Sequence, residues 1–211
     1  MNKNVLLIRH GESTKNIQDL FGDENSNFQL TEKGKLDSTE LANFIKETAV
    51  QLNQGFVIFT SPDSRSMMTA EIVCEILGCN FIIKETLLPI KAGKLSGISE
   101  NEASKLYPEL MRLKTSFRKG ELNGYEISYP DGENVSEFQD RIIADFLNIL
   151  SHPKELIFIL SHQSVITAIL SFCKSIMKNE NYYYYFKLSL CGKSKVTINN
   201  SNYSIGYIDR K

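Results

Sequence analysis

The sequence predicts an α/β fold, a mostly parallel central sheet with helices on both faces. Short apolar runs recur at Val5–Ile8, Phe56–Thr60 and Leu156–Leu160, the composition of strands buried on both sides. Segments with apolar residues at helical spacing stand between them, the alternation that builds parallel sheets. The chain has 211 residues, 42% hydrophobic and 23% charged, which is a globular composition with ample material for a core. No internal repeat or compositional break divides it. Residues 1–211 therefore read as a single domain with a lid or insertion around 98–132.

The elements follow in order. Val5–Ile8 is the first buried strand. Leu30–Leu52 reads as a helix, with Thr31 as N-cap and Leu41, Phe44, Ile45, Ala49 and Leu52 on its apolar side. Phe56–Thr60 is the second strand. Ser64–Leu77 is a helix that Gly78 stops. Phe81–Ile83 is a third, short strand. Ser99 through Glu102 has the pattern of a capping box opening a helix toward Tyr107, where Pro108 interrupts or kinks it. Residues 114–132, polar and glycine-containing, read as a loop or lid. Glu137–Leu150 is helical, Leu156–Leu160 is the fourth buried strand, and Val165–Ile176 is helical. In the tail, Phe186–Leu190, Lys195–Ile198 and Tyr203–Ile208 have strand composition, and Asn199 to Asn202 reads as a hairpin turn between the last two.

Charge and targeting signals narrow the function. Lys+Arg is 24 against Asp+Glu 25, without the basic excess of a nucleic-acid coat. The N-terminal apolar run is too short for a signal peptide, and no stretch approaches the ~20 apolar residues of a membrane span. Cys74, Cys79, Cys173 and Cys191 show neither CxxC spacing nor a disulfide framework. The expectation is a cytoplasmic protein with free thiols, no nucleic-acid or membrane partner, and an oligomeric state the sequence leaves open.

Ligands of such sheets bind beyond the carboxyl ends of the strands. Arg9-His10-Gly11-Glu12-Ser13 follows the first strand, Ser61-Pro62-Asp63-Ser64-Arg65 the second, and Ser161-His162-Gln163-Ser164 the fourth. Two guanidiniums and two of the three histidines thus converge on one edge. Arginine presents a charged fork that matches phosphate oxygens. A neutral imidazole is a competent nucleophile. One histidine attacking phosphorus while the rest hold the phosphoryl group would be phosphoryl-transfer chemistry. A zinc site is the competing reading of paired histidines, and the two arginines oppose a cation there. His152, between a helix and a strand, reads as a loop residue without chemistry.

These residues resemble the histidine phosphatase superfamily, also called the phosphoglycerate mutase-like family, over nearly the whole chain. Arg9 to Ser13 with Asn16 is similar to the family's RHGE[ST]xxN motif. Leu30-Thr31-Glu32-Lys33-Gly34 looks like its LTxxG helix start. Ser61 to Ala70 resembles SPxxRxxxTA, Pro130 to Asn134 resembles PxGES, and Ser161-His162 matches the start of SHGG. The resemblance implies a phosphatase that hydrolyses a phosphomonoester or activated phosphate of a small molecule through a phosphohistidine on His10. It implies that Arg9, Arg65 and His162 complete the phosphate pocket, with Asn16 as a phosphate or substrate contact; Gln163, beside His162, is a further candidate substrate contact of this chain's own. No metal or organic cofactor is implied. Glu12 reads as a carboxylate orienting its neighbours.

Two departures matter. Many relatives carry a general acid in a segment that aligns with Leu87 to Gly97, and here the acid position is Pro89. Protonating an alkoxide leaving group contributes typically ~10²–10⁴-fold. Either another carboxyl supplies the proton, with Glu85, Asp63, Glu133 and Asp131 as candidates, or the leaving group needs little protonation, or the domain only binds a phosphorylated ligand. Gln163 stands where relatives have glycine and would narrow the pocket beside His162. A phosphoglycerate mutase-type phosphotransferase ranks below a phosphatase, because a mutase needs the acid/base that Pro89 removes. Lys15, Lys91 and Lys94 suggest a basic pocket mouth with a preference for polyanionic substrates. The run Tyr182 to Tyr185 reads as an edge strand or helix end packed on the sheet, or as part of the pocket rim. Leu113–Tyr129 is a candidate gating lid.

Overall fold

The computed structural model describes residues 2–22, 27–200 and 202–210. Its strands are β1 (Asn2–Arg9), β2 (Phe56–Thr60), β3 (Phe81–Ile83), β4 (Leu156–Ser161), β5 (Lys193–Asn199) and β6 (Asn202–Arg210). They form one sheet in the order β3-β2-β4-β1-β5-β6. The first four are parallel, and β5 and β6 extend the sheet antiparallel to β1 and to each other. The helices are α1 (Thr14–Gln18), α2 (Glu32–Leu52), α3 (Ser64–Leu77), α4 (Glu100–Leu106), α5 (Pro108–Lys119), α6 (Val135–Leu150) and α7 (Gln163–Lys178). The α/β class, the largely parallel sheet and its two covered faces are as the sequence predicts. The turn between β5 and β6 includes Ser201, which lies outside the described residues.

Successive strand residues point to opposite faces, and the core divides accordingly. Leu6, Ile8, Ile58, Phe158 and Leu160 pack with Leu41, Ala42 and Ile45 of α2 and Ala70 and Val73 of α3. On the other face Val5, Leu7, Phe59, Ile157 and Ile159 pack with Phe138, Ile142 and Phe146 of α6 and Val165, Ile166 and Ile169 of α7. Burying each large apolar side chain contributes about 1.5–3 kcal/mol. The continuous apolar runs are the price of covering both faces.

Caps decide several boundaries. Thr31 accepts from Gly34 N at 3.0 Å and starts α2, and Gly78 at φ 61° ends α3. Ser99 accepts from Glu102 N at 3.1 Å and starts α4. Asn134 caps α6 through Glu137 N at 2.9 Å, so that helix begins at Val135 rather than Glu137.

Two segments differ from the sequence reading. Residues 114–119 are helical, the second half of α5. Pro108 is the first residue of this helix, where its missing N–H costs nothing. Leu110, Met111 and Lys114 form its buried stripe, and the run of cations masked that spacing. Phe186–Leu190 is not a strand. Its backbone groups bond to side chains instead of a ladder. Phe186 O accepts from Thr167 Oγ1 at 3.1 Å and from Gln163 Nε2, Leu188 N donates to Gln163 Oε1 at 3.0 Å, and Leu188 O accepts from Arg9 Nη1 at 2.7 Å.

The loop after β1 rests directly on the start of α2. A Cβ on Gly34 would lie 2.8 Å from Glu12 N and nearer still to Glu12 O, and one on Gly11 would lie 2.7 Å from Gly34 O. Thr31 N donates to Glu12 O at 2.9 Å, and Thr31 Oγ1 donates to Glu12 Oε1 at 2.9 Å. Glu12 thus orients its neighbours, as expected. Gly34→Ala is expected to cost about 1–3 kcal/mol by urea unfolding, because two backbones must separate. A loss below about 0.5 kcal/mol would show slack in this contact.

Candidate active site

Adjacent parallel strands bring the three motif loops together. The register pairs Arg9 with Ser161 and Thr60 with Leu160, so β2, β4 and β1 end side by side. The loops beyond them carry His10, Arg65 and His162 into one cavity of about 520 Å³, which Arg9 also lines. The His10 and His162 rings stand edge to face, with centroids 5.2 Å apart.

Each side chain is held from behind. His10 Nδ1 lies 2.7 Å from Gly11 O. A carbonyl only accepts, so Nδ1 carries the proton and Nε2 keeps its lone pair. Gly11 N in turn donates to Thr69 Oγ1 at 3.1 Å. Arg65 makes a two-pronged pair with Asp63, Nε to Oδ1 at 2.8 Å and Nη2 to Oδ2 at 2.6 Å. Asp63 also accepts from Arg65 N at 3.1 Å as the N-cap of α3. Ser61 Oγ accepts from Asp63 N at 3.3 Å and lies 3.1 Å from His162 Nε2, holding that ring from behind. The Nε of Arg9 is buried and finds no partner.

Electrostatics keep both imidazoles neutral. Burial, then Arg65, His162 and Arg9, hold His10 well below the usual histidine range. Burial, Arg65, Lys15 and Arg9 do the same to His162. Burial opposes the charge on Asp63, but its bonds to Arg65 overcome this and hold it below the usual carboxylate range. Two guanidiniums and the His162 imidazole around a neutral His10 suit a tetrahedral oxyanion.

The remaining nominated residues fare differently. Asn16 lines the cavity, with Oδ1 accepting from Ser13 Oγ at 2.7 Å and Ser13 N at 3.1 Å. Gln163 also lines it, yet both ends of its amide bond to the 186–188 segment. None of the four nominated carboxyls lines the cavity. Asp63 serves Arg65. Glu85 is exposed in a short 3₁₀ turn. Asp131 pairs with Lys94 at 3.0 Å on the surface. Glu133 accepts from Arg141 at 2.7 and 2.9 Å and from Lys91 N at 2.9 Å. Pro89 itself lines the cavity, and its carbonyl accepts from Arg141 at 3.0 Å. Arg141, which the sequence reading passed over, therefore fixes this wall together with Glu133. Among the described residues, the carboxyls that do line the cavity are Asp19 and Glu100.

Lys91 and Lys94 do not line the cavity, whereas Lys15 does, joined by Lys114, Arg118 and Lys187. Motif spacing had no hold on the last three, which lie in the α5 and 182–190 segments. Tyr183 is buried against Phe117 and Tyr125 and, with Tyr185, lines the cavity, so the tyrosine run is neither strand nor helix but part of the wall. His152 lies elsewhere, with its ring 5.7 Å from that of Phe59. Among the described residues no cluster of three or more His, Cys, Asp or Glu could hold a metal ion, and no helix is long and apolar enough to cross a membrane.

Comparisons with known proteins agree with this geometry. The family described as histidine phosphatase superfamily (branch 1) matches residues 5–208. A fructose-2,6-bisphosphatase of Saccharomyces cerevisiae is 26% identical over 179 residues, 85% of this chain and 36% of that protein. The chain thus spans about a third of that relative's length. An uncharacterized phosphatase, PhoE, of Bacillus subtilis is 24% identical over 168 residues, 79% of this chain and 75% of that protein. Among solved structures, mycobacterial glucosyl-3-phosphoglycerate phosphatase superposes with a TM-score of 0.81 at 13% identity, covering 99% of this chain and all of that one. At that identity the likeness is one of fold.

Proposed function

The chain belongs to the histidine phosphatase superfamily, branch 1, and from that premise we propose that it is a phosphatase acting on small phosphorylated molecules through His10. The observation that carries the reading is the neutral His10 ring, its Nδ1–H spent on Gly11 O at 2.7 Å, in one cavity with Arg9, Arg65 and His162. His10 Nε2 attacks phosphorus, the P–O bond to the leaving group breaks, and a phosphohistidine forms. Water then attacks that phosphorus, releasing phosphate and the free imidazole. Arg9, Arg65 and His162 hold the equatorial oxygens in both steps. Residues 98–132 supply α4, α5 and part of the cavity wall and serve as its cover. A reducing, cytoplasmic setting suits the buried thiols of Cys74, Cys173 and Cys191, each pushed up to about 12 by burial.

Pro89 in the cavity wall and the placement of the nominated carboxyls favour substrates whose leaving groups need little protonation, such as acyl or aryl phosphates. The test compares turnover of matched aryl, acyl and alkyl phosphates. An aryl-to-alkyl ratio raised by about 10²–10⁴ over a relative with the carboxyl is expected, the size of a missing general acid. Equal turnover would reveal a substitute donor. Phosphate binding with no turnover of any substrate would leave a phospho-ligand-binding module and overturn the reading.

A further inference from the structure

We propose that Asp209, which lies outside the cavity on the edge strand β6, is a positioning residue for Arg9: it clasps the 188–192 segment that holds the Arg9 guanidinium toward the transferred phosphoryl group. The inference rests on the phosphatase reading, from which Arg9 takes its role.

The two arginines of the site are held in different ways. Arg65 has Asp63, through two direct bonds. Arg9 makes no ion pair among the described residues. Its Nη1 donates to Leu188 O at 2.7 Å, and its Nε is left without a partner. A guanidinium carries five donors, so others remain for phosphoryl oxygens, and the direction of the fork follows the position of Leu188 O. The same segment is tied to the nucleophile's backbone. Gly192 O accepts from Arg9 N at 3.2 Å, and Cys191 N donates to His10 O at 3.3 Å.

Residues 188–192 belong to no strand or helix, so side chains must fix them. Gln163 takes one end, at Leu188 N. Asp209 takes the middle: Oδ1 accepts from Ser189 N at 2.5 Å and Oδ2 from Ser189 Oγ at 2.9 Å. Gly192 leaves it room, since a Cβ there would lie 2.2 Å from Asp209 Oδ1.

The backbone at Asp209 is bent to make this contact. Its φ is 55°, in the left-handed region that a residue with a Cβ seldom enters. Lys193 pairs with Arg210 and Lys195 with Tyr207, so three steps of β6 face two of β5. Such a bulge re-aims a side chain, and here it turns the carboxylate onto Ser189. Asp209 N donates to Ser194 Oγ at 3.2 Å, which holds the bulge in place. Strain that surrounding bonds maintain clusters at functional positions. The carboxylate's field also reaches Arg9. Burial disfavours the Arg9 charge most, Tyr185 and Asp209 support it, and Arg65 opposes it.

The test uses 4-nitrophenyl phosphate, an aryl ester that spares the missing acid. Asp209→Gly removes the carboxylate and suits the left-handed backbone. It is expected to lower kcat/KM by about 30–100-fold, the scale of a catalytic group displaced from afar. Asp209→Asn keeps the shape and an acceptor for Ser189 N, and should stay within about threefold of wild type. In an Arg9→Met background, Asp209→Gly should cost less than about threefold more, because the side chain it acts through is gone. Equal loss in both backgrounds would reveal a merely structural role and overturn the proposal. So would wild-type kinetics in Asp209→Gly, or an Asn variant as poor as the Gly one. Should Asp209→Gly fail to fold, Ser189→Ala removes only the bond at 2.9 Å. A loss of about threefold to tenfold that vanishes in Arg9→Met is then expected, and no loss rejects the clasp. If the wild type does not turn over the ester, titration calorimetry with inorganic phosphate runs the same cycle: weaker binding in Asp209→Gly only when Arg9 is present supports the clasp, and equal binding rejects it. A wild-type chain that neither hydrolyses the ester nor binds phosphate removes the phosphatase reading and this proposal together, whereas wild-type turnover with an additive cycle removes the proposal alone.

Discussion

His10→Ala is expected to lower kcat for every phosphate ester by at least about 10⁴-fold, the scale on which losing a nucleophile acts. Rapid-quench labelling should show acid-labile phosphate on the wild-type protein and none on the variant. His152→Ala is the control, because its ring packs on Phe59 outside the cavity. Equal damage from the two substitutions would remove His10 from the chemistry. The same residue sets a pH dependence. His10 and His162 are both held well below the usual histidine range, so each stays neutral in the fold while the unfolded chain takes up protons near pH ~6.5. Their contribution to stability is present above that pH and is lost as the pH falls toward the lowered folded values. The wild-type melting temperature should therefore drop on acidification below ~6.5, and less steeply in His10→Ala. An acid limb near 6.5 in kcat/KM for aryl phosphates would contradict the lowered His10.

Arg65→Lys is expected to reduce kcat/KM by about 10²–10³ although the charge is kept. The fork is what Asp63 orients, through bonds of 2.8 and 2.6 Å. A lysine cannot match two carboxylate oxygens and two phosphoryl oxygens with one planar group. Arg65→Met should cost more, about 10³–10⁵ in rate, the range found when an arginine that stabilises transferred phosphoryl charge is removed. It should also cost about 3–5 kcal/mol of stability, because the Asp63 carboxylate is only 12% exposed and loses its counter-ion. Asp63→Asn separates the two effects. It spares the guanidinium charge but frees its orientation, so an intermediate rate loss is expected. Wild-type rates in Arg65→Lys would show that charge alone suffices.

Much of the scaffold was legible because local and global signals agree. The limits of α3 and β2 match the apolar patterning, since Gly78 and the strand's burial on both faces act through nearest neighbours. Segments whose order comes from distant side chains were not legible. Phe186–Leu190 has strand composition, yet Gln163, Thr167 and Arg9 satisfy its backbone from two other elements. Helix α5 hides behind its cations because Lys114 is buried against Phe21, a contact between residues 93 positions apart in sequence.

By itself the sequence determined the parallel strands and the three loops at their ends, hence the convergence of Arg9, His10, Arg65 and His162, because parallel strands run in one direction and deliver whatever follows them to one edge. Only the tertiary structure decided what faces that group from above. It set Asp63, Glu85, Asp131, Glu133, Lys91 and Lys94 outside the cavity and brought Lys114, Arg118 and Lys187 into it. The reason is physical: strand ends are placed by short-range hydrogen-bond register, whereas the covering segment is placed by packing between remote side chains, which no local spacing encodes.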